Sequence, residues 1–184
     1  MKALDRVLQR WRIRKAIAYI APGVAVLDIG CADGELFRIL SNHGDSVGID
    51  PDPKNPFPSL PRVRFYTGYF PEALLAGSAF DAITMLAVLE HVPADRLQAL
   101  AGNCAAFLKP GGRLIITVPS PAVDYVLAVL KGLRVIDGMS VEQHYGFEAG
   151  STPDIFRPHG FALLAHKSFQ LGLNNLYVFE RRSV

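Results

Sequence analysis

The chain predicts an α/β protein built on a mostly parallel sheet. Short apolar runs, suited to strands buried on both faces, alternate with helical patterns along most of its 184 residues. The first of these runs passes through a glycine turn directly into a helix, and the second ends in an acid. Near the C-terminus two β-rich runs follow one another with no helix between them, which marks a closing antiparallel hairpin.

In chain order, residues 3–20 read as an amphipathic helix, a segment of 1–20 ahead of a single domain over 21–184. Leu4, Val7, Leu8 and Trp11 share a face, while Arg6, Arg10, Arg12, Arg14 and Lys15 supply charge. Three uses stay open for it: a solvated helix with Trp11 tucked against the sheet, a lid over a ligand, or a peripheral foot on an anionic membrane. Pro22-Gly23 ends it. Val24, Val26, Leu27 and Ile29 make the first strand, Gly30 and Gly34 bracket a turn, and Leu36, Phe37, Ile39 and Leu40 recur at helical spacing. A helix starting there aims free N–H groups at whatever lies over the turn.

Residues 46–50 form the second strand, and Asp50 at its end can accept both hydroxyls of a ribose. The proline-dense stretch 51–61 forbids a regular helix, so an extended connection is expected before the third strand at 62–66. The fourth strand spans 79–86. A helix over 94–108 carries Cys104 on its apolar stripe, 109–112 form a turn, and the fifth strand runs over 113–118. In the variable segment, about 121–148, Val123, Val126, Leu127 and Leu130 mark a helix. Met139, His144, Tyr145 and Phe147 there either offer the mixed apolar and polar wall of a small-molecule pocket or belong to a loop packed under the sheet edge. Ser151 is expected to cap a further helix with Pro153 in its first turn, and Pro158-His-Gly160 to end it. The hairpin strands are 161–170 and 174–181.

Composition narrows the function classes. Half the residues are apolar and a fifth are charged, as in an ordinary globular protein. A net charge of +2 argues against a dedicated nucleic-acid binder. Cys31 and Cys104 are too few for a disulfide framework and lack metal-ligand spacing, so a reduced, cytoplasmic setting is expected and no metal. No apolar run reaches the roughly 18 residues of a membrane span, and the basic N-terminus lacks a signal-peptide core.

The turn after the first strand selects among nucleoside ligands. A dinucleotide site wants G-x-G-x-x-G, but here Ala32 and Glu35 stand where the second and third glycines belong. Asp28, Asp33 and Glu35 make an acidic rim, which repels a diphosphate and suits a cation.

Those residues carry a resemblance. Asp28-Ile-Gly-Cys-Ala-Asp-Gly34 resembles the first motif of the class I S-adenosylmethionine-dependent methyltransferases, departing from it at Ala32. Asp50 matches that family's ribose-binding acid, residues 80–92 its fourth strand with the following E-H pair, and 108–119 its L-K-P-G-G turn and fifth strand. The resemblance implies a Rossmann-like three-layer sandwich, a seven-stranded sheet with one antiparallel strand in a C-terminal hairpin. It implies S-adenosylmethionine as cofactor, S-adenosylhomocysteine as product, and a small-molecule or lipid-like acceptor. Asp28, Gly30, Cys31, Ala32 and Gly34 are then expected to hold the methionine part, Asp50 the ribose, and Leu86 and Ala87 the edge of the same site. Tyr69 stands where the family often has an acid contacting adenine; it or Phe70 stacks on the base, or the backbone alone makes the contact and these rings serve as plain structure. Among five histidines, His91 and His144 are the candidate bases, by their places after the fourth strand and in the variable segment. Two other readings stay open: a catalytically silent cofactor-binding module, and an NAD-dependent oxidoreductase, which the acidic turn disfavours.

Overall fold

The computed structural model describes residues 3–53, 56–75, 77–120 and 147–183. Its strands are β1 (Val26–Ile29), β2 (Ser46–Asp50), β3 (Val63–Thr67), β4 (Phe80–Leu86), β5 (Leu108–Pro119), β6 (Phe161–Phe169) and β7 (Asn174–Arg181). The helices are α1 (Ala3–Ile17), α2 (Glu35–Ile39), α3 (Leu97–Phe107) and α4 (Thr152–Phe156). All seven strands join one sheet in the order β3-β2-β1-β4-β5-β7-β6. The first five are mutually parallel, and β7 runs against both β5 and β6. The expected mostly parallel sheet with a single reversed strand is the one observed.

Strand alternation explains the layers. Leu27, Ile83, Leu114, Ile116 and Phe179 face one side, where α3 brings Ala101 and Cys104 and α4 brings Ile155 and Phe156. Val26, Ala82, Ile115 and Val178 face the other, against Ile13 and Ala16 of α1 and Leu36 and Phe37 of α2. Because both faces are covered, the central strands read as near-continuous apolar runs. Between β2 and β3 the described residues form no helix. Phe57 from this proline-rich connection stacks on Phe65 at 4.9 Å between centroids and takes over the cover a crossover helix would give.

Several local expectations are corrected. The buried face of α1 is Ile13 and Ala16, continued by Ile20, while Trp11 is 42% and Val7 60% exposed. Residues 109–112 do not precede β5 but loop out within it: Phe80 pairs with Leu108 and Ala82 with Arg113. The α3 helix is preceded by a 3-10 turn over Ala94–Arg96. Ser151 does not cap α4 with its side chain; its hydroxyl donates back to the Glu148 carbonyl at 2.7 Å. No described helix is long and apolar enough to cross a membrane.

Candidate active site

In an open α/β sheet the ligand edge is the carboxyl edge, and here four ends converge: β1, β2, β4 and β5. The turn from β1 to α2 is held by its own backbone. Gly30 and Gly34 both sit at φ 73°, as expected, with Ala32 between them at φ 47°. A Cβ on Gly30 would lie 2.4 Å from Val88 Cγ2, and one on Gly34 would lie 2.8 Å from Phe65 Cζ. The N–H groups of Gly30 and Cys31 donate to the Ile49 carbonyl at 2.8 and 3.0 Å, and that of Gly34 donates to Cys31 at 2.8 Å. The N–H of Ala32 donates to Asp50 Oδ2 at 2.8 Å, a bond that helps hold an alanine in the left-handed region. Four of the turn's donors are therefore consumed, and a pyrophosphate finds none of them free.

What the turn offers instead is negative. Asp28 is 3% exposed and accepts a hydrogen bond from Thr84 Oγ1 at 2.6 Å. Burial pushes its carboxyl up to about 7; the Thr84 hydrogen bond opposes that rise and the nearby charge of Asp50 adds to it. Asp50 accepts from Ala32 through Oδ2 and from the Asp52 N–H through Oδ1 at 2.9 Å. A carboxylate has about four lone-pair sites, so both oxygens can still accept from a ligand hydroxyl. Cys31 is buried beside these acids, and burial, then the charges of Asp28 and Asp50, push its thiol upward, so it is not a nucleophile.

Glu35 does not join that rim. It is buried, and Arg10 Nε and Arg38 Nη1 meet its two oxygens at 2.7 and 3.2 Å. Burial alone would raise its carboxyl, but these two hydrogen bonds and the charges of both arginines together outweigh burial and hold it below the ordinary value. The α2 helix has only five residues, so the helix-terminal charge expected over the turn is small. The turn disfavours a diphosphate because four of its donors are used and Asp28 and Asp50 remain, not because of Glu35.

The first half of α1 straps this edge. Besides Arg10, its Gln9 side chain reaches Asp33 at 3.4 Å, and the Leu8 carbonyl accepts from Gln170 Nε2 in the β6–β7 turn at 3.0 Å. Arg12 is half-buried; burial lowers its pKa and the charge of Glu90 opposes that shift. Beyond β4, Ala87 takes φ 61° and donates to the Thr117 carbonyl at 2.9 Å, with Leu86 half-buried before it. Leu89–His91 form a 3-10 turn, so His91 stands at the ligand edge and is half-buried. Tyr69 is 72% exposed after β3, which excludes a core role, whereas Phe70 packs edge-on against Phe107 at 5.5 Å.

The other described histidines belong to the scaffold. His43 bonds the Gly44 carbonyl, His159 bonds Gln98, and His166 bonds Asn175 while stacking on Tyr177. His144 lies outside the described residues, as do Met139, Tyr145 and the helix expected near Val123. Sequence reasoning missed Thr84, Val88, Arg10 and Arg12. A threonine inside the otherwise apolar run Ala82–Leu86 of β4 was the one available signal. A cleft of about 580 Å³ opens at the opposite edge beside Pro22, Asp81 and Lys109. Its acid is already tied to Lys109 and the Ala25 N–H.

Residues 2–171 match a family model described as a methyltransferase domain. The ubiquinone biosynthesis O-methyltransferase of Xylella fastidiosa is 35% identical over 124 residues, covering 62% of this chain and 50% of the relative. The mitochondrial enzyme of that name from Rattus norvegicus is 34% identical over 158 residues, covering 77% and 45%. The chain thus spans about half the length of these relatives. Among solved structures, the 1,6-didemethyltoxoflavin-N1-methyltransferase of Burkholderia thailandensis, with bound S-adenosylhomocysteine, superposes at a TM-score of 0.71 and 19% identity, covering 98% of this chain and 80% of that one. The magnesium protoporphyrin IX methyltransferase of Synechocystis gives 0.70 at 20% identity, covering 97% and 85%.

Proposed function

The chain belongs to the class I S-adenosylmethionine-dependent methyltransferases, and on that premise we propose that it methylates a hydroxyl on a small or lipid-like acceptor. The observation that carries this reading is the turn itself: four N–H donors consumed, with Asp28 and Asp50 left as acceptors. That pair of acceptors fits a phosphate-free nucleoside bearing positive charge. S-adenosylmethionine, when bound, supplies a methyl group already activated by its sulfonium. Asp50 takes the ribose hydroxyls, and Asp28 with the turn at Gly30, Cys31, Ala32 and Gly34 holds the methionine end. Leu86 and Ala87 close the side next to β4, and the exposed ring of Tyr69 is available to the adenine.

The protein's remaining tasks are alignment and desolvation for an in-line displacement. The α1 strap serves both by holding the turn and covering its outer side. An acceptor hydroxyl must also lose a proton, and His91 and His144 are the side chains proposed to take it on a ring nitrogen. Oxygen as the acceptor atom rests on the O-methyltransferase relatives. Isothermal titration with S-adenosylmethionine, S-adenosylhomocysteine and NAD tests the cofactor: heat with NAD alone overturns the reading. Screening hydroxylated acceptors with radiolabelled methyl donor tests the transfer, and labelled product formed only from amine acceptors would overturn the hydroxyl.

A further inference from the structure

The outward face of α1 is neither core nor plain solvent surface. Arg6, Val7, Trp11, Arg14 and Lys15 are all exposed, with Val7 and Trp11 set among the cations, while Arg10 beside them is paired with Glu35. The helix's one acid, Asp5, is half-buried. Two further features extend this face. The β6–β7 turn abuts the helix through the Gln170–Leu8 bond, and its next residue, Leu171, is 98% exposed. Beside the second half of the helix, a groove of about 400 Å³ is floored by Tyr19, Phe169 and Leu176 and flanked by Lys15 and Lys167. The Lys167 ammonium stands 5.4 Å over the Tyr19 ring.

From this arrangement we propose that the α1 face, with Leu171 and the Lys15–Lys167 groove, is a docking surface for an anionic phospholipid bilayer. Exposed aliphatic and indole side chains between cations match the boundary of headgroup and acyl chain, where apolar burial and attraction to anionic lipid act together. A nucleic acid would satisfy the cations but give Val7 and Leu171 nothing to bury against. Docking by this face brings the sheet's carboxyl edge near the bilayer, because α1 and the β6–β7 turn both border that edge. The surface stands whether or not the chain transfers a methyl group.

Trp11 is the chain's single tryptophan and reports directly on the contact. The full chain is mixed with vesicles of phosphatidylcholine alone, or of equal parts phosphatidylcholine and phosphatidylglycerol. Sedimentation and a blue shift of Trp11 emission are expected with the mixed vesicles only, both reversed by high salt. Arg14→Gln with Lys15→Gln should weaken partitioning about 25-fold, at about fivefold for each cation lost near the surface. Leu171→Ser, at a fully exposed turn, should weaken it with no change in thermal midpoint. The proposal is overturned by no sedimentation with mixed vesicles at low salt, or by sedimentation without a Trp11 shift. It is equally overturned by binding to single-stranded DNA with none to vesicles.

Discussion

Cofactor affinity should depend on pH through Asp28. In the unliganded protein this buried carboxyl sits at about 7, raised chiefly by desolvation. A positively charged ligand group beside it favours the carboxylate, so binding must first ionise it. If only the carboxylate binds, apparent Kd scales as one plus ten to the power (pKa − pH). Affinity at pH 6 is then about tenfold weaker than at pH 8, and gains little above that. Stability runs the opposite way. The folded pKa lies above the unfolded value of about 4, so the native state holds its proton more tightly between about pH 4 and 7. Unliganded protein therefore gains stability from this group as pH falls through that window, and carries the full cost of the buried charge above it. Isothermal titration with S-adenosylhomocysteine at steps from pH 6 to 8, paired with thermal melts, measures both. Asp28→Asn should flatten both profiles and weaken binding even at pH 8, which separates Asp28 from titrating histidines. Thr84→Val removes a donor that favours the charged form and should move the affinity profile to higher pH. A wild-type affinity that is flat from pH 6 to 8, or a profile unchanged in Asp28→Asn, would refute the reasoning.

Other outcomes follow from the same geometry. Gly30→Ala forces a left-handed alanine, at about 1–2 kcal/mol, and overpacks against Val88, at about 1–3 kcal/mol; Val88→Ala in the same chain should restore only the second part in urea unfolding. Asp50→Ala should weaken cofactor binding by about 1.5–3 kcal/mol, roughly tenfold to a hundredfold by titration; wild-type affinity would mean that the ribose contact lies elsewhere. His91→Ala and His144→Ala should keep cofactor affinity, and whichever removes the base should lose about 10²–10⁴-fold in turnover. Near-normal turnover in both leaves alignment alone as the catalysis.

Strand positions, the glycine turn and the reversed hairpin were legible because each is written in local signals: period-two or continuous apolar runs, residues tolerant of positive φ, prolines that stop helices. That the described residues between β2 and β3 form no helix was legible for the same reason. Local signals were weaker where two answers fit one pattern. Ser151 has the chemistry of a cap, but it ends the 3-10 turn Ala149–Ser151 and sits in the right-handed helical region, so its hydroxyl bonds backward.

The sequence by itself determined the sheet, the placing of Asp28 and Asp50 at its ligand edge, and the demand for glycine at 30 and 34. Only the tertiary structure decided which of the turn's acids stay available. Glu35 is neutralised by Arg10, 25 positions away, while Asp28 meets Thr84, 56 positions away, and is shielded from water instead. It also decided that α1 docks through Ile13 and Ala16 and leaves Val7 and Trp11 outside. The physical reason is common to these cases. Periodicity and backbone preference act between neighbours in the chain, whereas the burial of a side chain and the partner that satisfies its charge are set by elements that meet only after folding.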